Sequence, residues 1–142
     1  MCYNLVRGDN MEKRMSKQEL LELIESLNVD PNEFWVLSTS ALVLRDLFPD
    51  AGDLDMAVTE KGLEQLKINF DLKQKENGWY IVNDKVECKP DTMEDWKVEK
   101  YGDYYLESLT KYFDFLKEST REKDKVKYKI VKKELEKRNM NK

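Results

Sequence analysis

The chain has 142 residues, 40% hydrophobic and 38% charged, with a net charge of −4. That length fits one domain with a single core, and no apolar run approaches the ~20 residues a membrane helix needs. Histidine is absent, which excludes Ser-His-Asp and Cys-His catalysis and imidazole-bound zinc, and Cys2 and Cys88 without a Cys-x-x-Cys argue against a disulfide framework or a thiolate zinc site.

The start, Met1-Cys2-Tyr3-Asn4-Leu5, lacks the charged and apolar regions of a signal peptide. A cytoplasmic protein is the expectation. Residues 1–15 show no periodicity and read as a flexible leader. Ser16 with Glu19 forms a capping-box pattern, and Leu20, Leu21, Leu23, Ile24 and Leu27 make the apolar stripe of a first helix. Asn28 to Asn32, with Pro31, ends it. Phe34-Trp35-Val36-Leu37 reads as a buried strand. Ser38-Thr39-Ser40 is a small-residue turn opening a short helix, Ala41 to Leu47, stopped by Pro49 and Gly52. Asp53 to Val58 is a second strand, and Thr59 caps a helix from Glu60 to about Phe70.

Phe70–Lys75 and Trp79–Val82 flank Glu76-Asn77-Gly78, a hairpin signal. Lys85 to Lys89 reads as another strand, closed by Pro90. Residues 91–103 are polar and read as a loop with a turn of helix. A helix then runs from about Tyr104 to Lys117, with Leu106, Leu109, Tyr112, Phe113 and Leu116 inward. The last helix runs from Arg121 to Arg138, with Val126, Ile130, Val131 and Leu135 inward. From Arg121 to Lys142 there are 10 basic and 4 acidic residues, a local +6 that leaves −10 on the rest. Such a basic end suits a polyanion or a nucleotide phosphate, or simply a solvated face that neutralises its own domain. The alternation of helices and strands predicts an α+β fold, an α/β sandwich of a mixed sheet with helices packed on it. The core spans residues 16–103 and a C-terminal helical pair, residues 104–142, packs on it within one domain.

Three acids carry the chemistry. Side chains alternate faces along a strand, so Asp53 and Asp55 share one face of Asp53-Leu54-Asp55 while Leu54 is buried. Paired carboxylates repel unless a cation or a proton intervenes, and Mg²⁺ is held by one or two carboxylates plus substrate phosphates. Glu87, between Val86 and Cys88, stands on a later strand. If that strand neighbours Asp53–Val58, the three acids meet at one sheet edge and can hold two Mg²⁺ ions. Glu87 is then the expected general base, with a pKa raised by its like-charged neighbours. The Ser38–Ser40 turn offers N–H groups and hydroxyls to phosphate oxygens. A cation must assist it, and the candidates are Lys89, Lys117, Arg121 and Lys123.

The order strand, small-residue turn, helix, Asp-x-Asp strand and later acidic strand resembles the nucleotidyltransferase superfamily, the polymerase-beta-like fold. It is most similar to small bacterial and phage members such as abortive-infection and aminoglycoside or lincosamide nucleotidyltransferases. The matching positions are Leu37 to Ser40, Asp53, Asp55 and Glu87, with Arg121-Glu122-Lys123-Asp124 at the end. The likeness covers about residues 16–138. Ser38-Thr39 stands where the family places glycine, and Pro49 and Ala51 stand near its usual arginine and threonine. The resemblance implies a Mg²⁺-dependent enzyme that moves a nucleoside monophosphate from a nucleoside triphosphate to a hydroxyl of a small molecule, a protein or an RNA end. The alternative is a catalytically degenerate module of that fold, binding a nucleotide, nucleic acid or partner protein. A structural α/β protein outside the family is the third reading.

Overall fold

Alternation of apolar residues sets the centre of the sheet, as seen in a computed structural model that describes residues 14–140. Phe34 and Val36 of β1 (Phe34–Val36), Leu54, Met56 and Val58 of β2 (Leu54–Val58), and Val86 and Cys88 of β5 (Val86–Pro90) point into one core. Trp35 and Ala57 point the other way, into a second cluster. Strands β3 (Lys73–Gln74), β4 (Tyr80–Asn83), β6 (Glu99–Tyr101) and β7 (Tyr104–Leu106) complete a seven-stranded sheet of order β3-β4-β5-β2-β1-β7-β6. It is mixed. The pairs β2–β5 and β1–β7 are parallel, and the others antiparallel.

Helices α1 (Lys17–Ser26), α2 (Ser38–Leu44) and α3 (Glu60–Asn69) cover the first face. The Ser16/Glu19 capping box is made in both directions, and the Thr59 hydroxyl accepts from the Gly62 N–H. Leu42 on the far side of α2 packs with Leu109, Tyr112, Leu116 and Val131 of the α4 (Leu109–Glu118) and α5 (Glu122–Met140) pair. So α2 is sandwiched between the sheet and the C-terminal helices. Half-buried Trp79, Met93, Trp96, Val98 and Tyr105 pack over Trp35, Leu37 and Ala57 on the second face. The architecture is α+β, with a C-terminal helical pair, and among the described residues no helix is long and apolar enough to cross a membrane.

Several expectations need correction. The helix expected from Tyr104 begins at Leu109, capped by the Ser108 hydroxyl, while Tyr104–Leu106 is a strand hairpinned to Glu99–Tyr101, which falls in the expected loop. Gly102, at φ +59°, makes that turn possible. Ser38–Ser40 is already the first turn of α2. Val131 and Leu135 of α5 face inward as expected, but Val126 is 57% exposed, and the buried positions N-terminal to Val131 are Asp124 and Lys127. The leader expected over residues 1–15 is described only at Arg14 and Met15. Met15 pairs with Ala51 in both directions and is buried, and Arg14 forms an ion pair with Asp50. Residues 1–13 of that leader lie outside the described residues, as does Cys2. Cys88 is a free, buried thiol.

Candidate functional site

The parallel ladder between β2 and β5 brings two acids face to face, because Asp55 and Glu87 are register partners. Asp53 lies just before β2, exposed. Burial raises the Asp55 carboxyl to about 6, and the negative charges of Asp53 and Glu87 push the same way. The three acids are therefore electrostatically one group. The carboxyl this group pushes up is that of Asp55. Glu87 was the general base expected from sequence, and its carboxylate is engaged by Lys75 from across the β3–β4 hairpin, 3.0 Å away. Among the described residues, no three acids, cysteines or histidines stand close enough to hold a metal ion as a three-donor set. Hard carboxylate oxygens in a facing pair fit Mg²⁺ all the same, because that ion takes one or two carboxylates and fills its shell with waters and phosphates.

The first turn of α2 is tied to the backbone that leads into β2. The Ser40 hydroxyl donates to the Asp53 carbonyl at 2.7 Å and fixes the approach to β2. Ser38 adopts φ +56°, the left-handed region that glycine enters freely and serine enters at a cost. Its N–H donates to Glu107 Oε1 at 2.9 Å. Glu107 is 6% exposed, and burial pushes its carboxyl up against the opposing pull of the Ser38 N–H, Lys111 and Arg45. Arg45, itself buried, donates to the Glu107 carbonyl and pairs with Glu99.

The cations expected at this turn divide. Lys89 shares the face of Glu87 but lies between the Trp79 and Trp96 rings, 5.9 and 5.7 Å from their centroids, and 3.7 Å from Asp91. Lys117 pairs with Asp114 on the exposed part of α4. Arg121 binds Asp124 at 2.7 Å. Lys123 is exposed, and its charge acts on Lys127. The cation that touches the turn is one that sequence reading passes over. Lys127 Nζ donates to the Thr39 hydroxyl at 2.7 Å, and Tyr112 also hydrogen-bonds Thr39. The only trace of Lys127 in the sequence is its place three residues after Asp124 and four before Val131, on the inward face of α5. Glu107 and Lys75 carry no pattern at all.

No protein-family model, curated protein or solved structure matches this chain.

Proposed function

We propose that the Asp53–Asp55–Glu87 edge is a Mg²⁺-dependent nucleotidyl-transfer site, moving a nucleoside monophosphate from a nucleoside triphosphate to a hydroxyl acceptor. The observation that carries this reading is the register pairing of Asp55 with Glu87, next to Asp53 and the first turn of α2. Two facing carboxylates of this edge, Asp55 with Glu87, would hold the ion, with waters and substrate phosphates completing its shell. The ion would offset their repulsion and polarise phosphoryl oxygens. The acceptor oxygen bonds to the α-phosphorus as the bond from that phosphorus to the oxygen bridging to the β-phosphate breaks. The electron pair leaves on pyrophosphate. A carboxylate at the edge takes the acceptor proton.

One observation favours the second reading, a catalytically degenerate nucleotide-binding module. The Ser38 N–H, a donor the phosphates would use, already serves the chain's own Glu107 carboxylate. The test is Mg²⁺-dependent turnover with each radiolabelled nucleoside triphosphate, using total RNA and cell extract as acceptors, alongside calorimetry of triphosphate binding. Label transfer that is lost in Asp55→Asn supports the enzyme. Binding without transfer supports the module, and neither binding nor transfer removes both.

A further inference from the structure

The basic end of the chain is divided between two sides of α5. On the inner side Lys127 and Asp124 are buried with Val131, and Arg138 pairs with Glu99 and Glu134. The outer side carries Lys125, Lys129, Lys133 and Lys137, all exposed and each four residues from the next. Residues four apart are neighbours on a helix surface, and a rise of about 1.5 Å per residue makes each step about 6 Å. The four ammonium groups therefore form one row, with Lys132 exposed beside it. Lys125 has a carboxylate in reach, the exposed Glu122 at 3.0 Å. Among the described residues Lys129, Lys132, Lys133 and Lys137 form no ion pair, and the exposed Glu136 joins none of them.

Such a row works against its own helix. Like charges four apart repel and destabilise it, and a plain solvated face interleaves the two signs. This chain has 29 acidic residues, yet none relieves the row beyond Glu122. A long anion laid along it removes the repulsion. The rest of the surface narrows the kind of anion. A helix that enters a lipid boundary needs an apolar face, and a protein partner is anchored by buried aromatic and arginine side chains. The outer side of α5 offers only Val126, 57% exposed, and the half-buried Ile130. A phosphate backbone needs no such anchor, because its affinity comes from charge. The chain before Arg121 carries −10. A duplex, with phosphates on all sides, meets that charge, and a single strand confined to the row does not.

We infer that the row Lys125–Lys129–Lys133–Lys137 is a docking track for the phosphate backbone of a single-stranded nucleic acid. The track does not depend on whether the acid edge transfers nucleotides. It reads charge and spacing, so it binds without regard to base sequence.

Fluorescence anisotropy on the full chain tests this across a salt series. The probes are a short labelled single-stranded RNA of mixed sequence, the duplex of the same sequence, and labelled polyglutamate. The single strand should bind best, with log K falling against log salt at a slope of about −3, the value for four phosphate contacts at about −0.7 each. Lys129→Gln/Lys133→Gln should bring the slope to about −1.5 and weaken binding at low salt by about tenfold or more. Lys61→Gln/Lys67→Gln removes the same charge from exposed positions of α3. It should leave the slope unchanged and the affinity within about twofold. Glutamine matches lysine in helix propensity, so both variants keep the fold. No binding of the single strand at low salt, equal losses in the two variants, or an unchanged slope in Lys129→Gln/Lys133→Gln would each overturn the track. Tighter binding of the duplex or of polyglutamate would overturn it as well. Nucleotide transfer without this binding would remove the track and leave the transfer reading standing, and binding without transfer would do the reverse.

Discussion

Asp55 and Glu87 oppose each other in register across a parallel strand pair, so the sheet itself holds like charges together. The consequence for stability has a definite sign. The Asp55 carboxyl titrates at about 6 in the folded chain and at 3.8 as an unperturbed group. Unfolding therefore releases a proton between those values, and the fold loses stability as pH rises from about 4 to about 6. Asp55→Asn removes this loss. Its melting temperature without metal should exceed that of wild type at pH 7.5 and match it near pH 4. A variant less stable than wild type at pH 7.5 would contradict the arrangement.

Mg²⁺ should offset the same repulsion. Millimolar Mg²⁺ is expected to raise the melting temperature of wild type and to leave Asp53→Asn/Asp55→Asn unchanged. An equal response in both proteins would show that the ion binds elsewhere.

Lys75 competes with that ion for Glu87. The Lys75–Glu87 pair is solvent-exposed on both sides, and exposed pairs contribute about 0–1 kcal/mol. Lys75→Met should therefore change metal-free stability little and should enlarge the Mg²⁺-induced shift in melting temperature. A smaller shift would mean that Lys75 assists the site instead of competing for it.

The left-handed backbone at Ser38 predicts a strict order among substitutions. Ser38→Gly relieves strain of about 1 kcal/mol and loses a similar amount to chain entropy, so stability should stay level or rise slightly. Ser38→Val should cost about 2 kcal/mol or more, because a β-branched residue is an outlier at this φ. Denaturant melts resolve the two. If both variants unfold alike, the turn has relaxed to another conformation.

Glu107 supplies the acceptor for that strained residue. Glu107→Ala leaves the half-buried Ser38 N–H without its acceptor, at about 1–3 kcal/mol. Glu107→Gln keeps an acceptor oxygen and should be milder. Burial already raises the Glu107 carboxyl, so loss of its charge is the smaller part of the change. Equal destabilisation by Ala and Gln would place the value of Glu107 in its charge.

The sequence exposes what is local. The Ser16/Glu19 box, the Thr59 cap and the Asn77-Gly78 hairpin each lie within a few residues, and each forms. The common face of Asp55 and Glu87 follows from alternation around Leu54, Val86 and Cys88, although their adjacency is a parallel pairing across 32 positions that no local pattern reveals. The β6–β7 hairpin announces itself only through Gly102-Asp103 between two tyrosines, and the strand it forms joins β1 at the single register pair Val36–Leu106. Lys127 is hidden for a different reason. In a helix with a lysine or arginine at almost every other position, nothing local separates the one buried ammonium from its solvated neighbours.

Every tryptophan of the chain lies in the cluster on the second face of the sheet, which continues from the carboxylates along β2 and β5. Trp35 and Trp96 meet edge to face at 6.1 Å, and Lys89, two residues from Glu87, lies over both Trp79 and Trp96. This gives the molecule an intrinsic optical signature. Its indole emission arises from one tryptophan cluster beside the acids, with no distant indole to dilute the signal. Whatever settles at Glu87 and displaces Lys89 will be read out in that spectrum, in unlabelled protein and in real time.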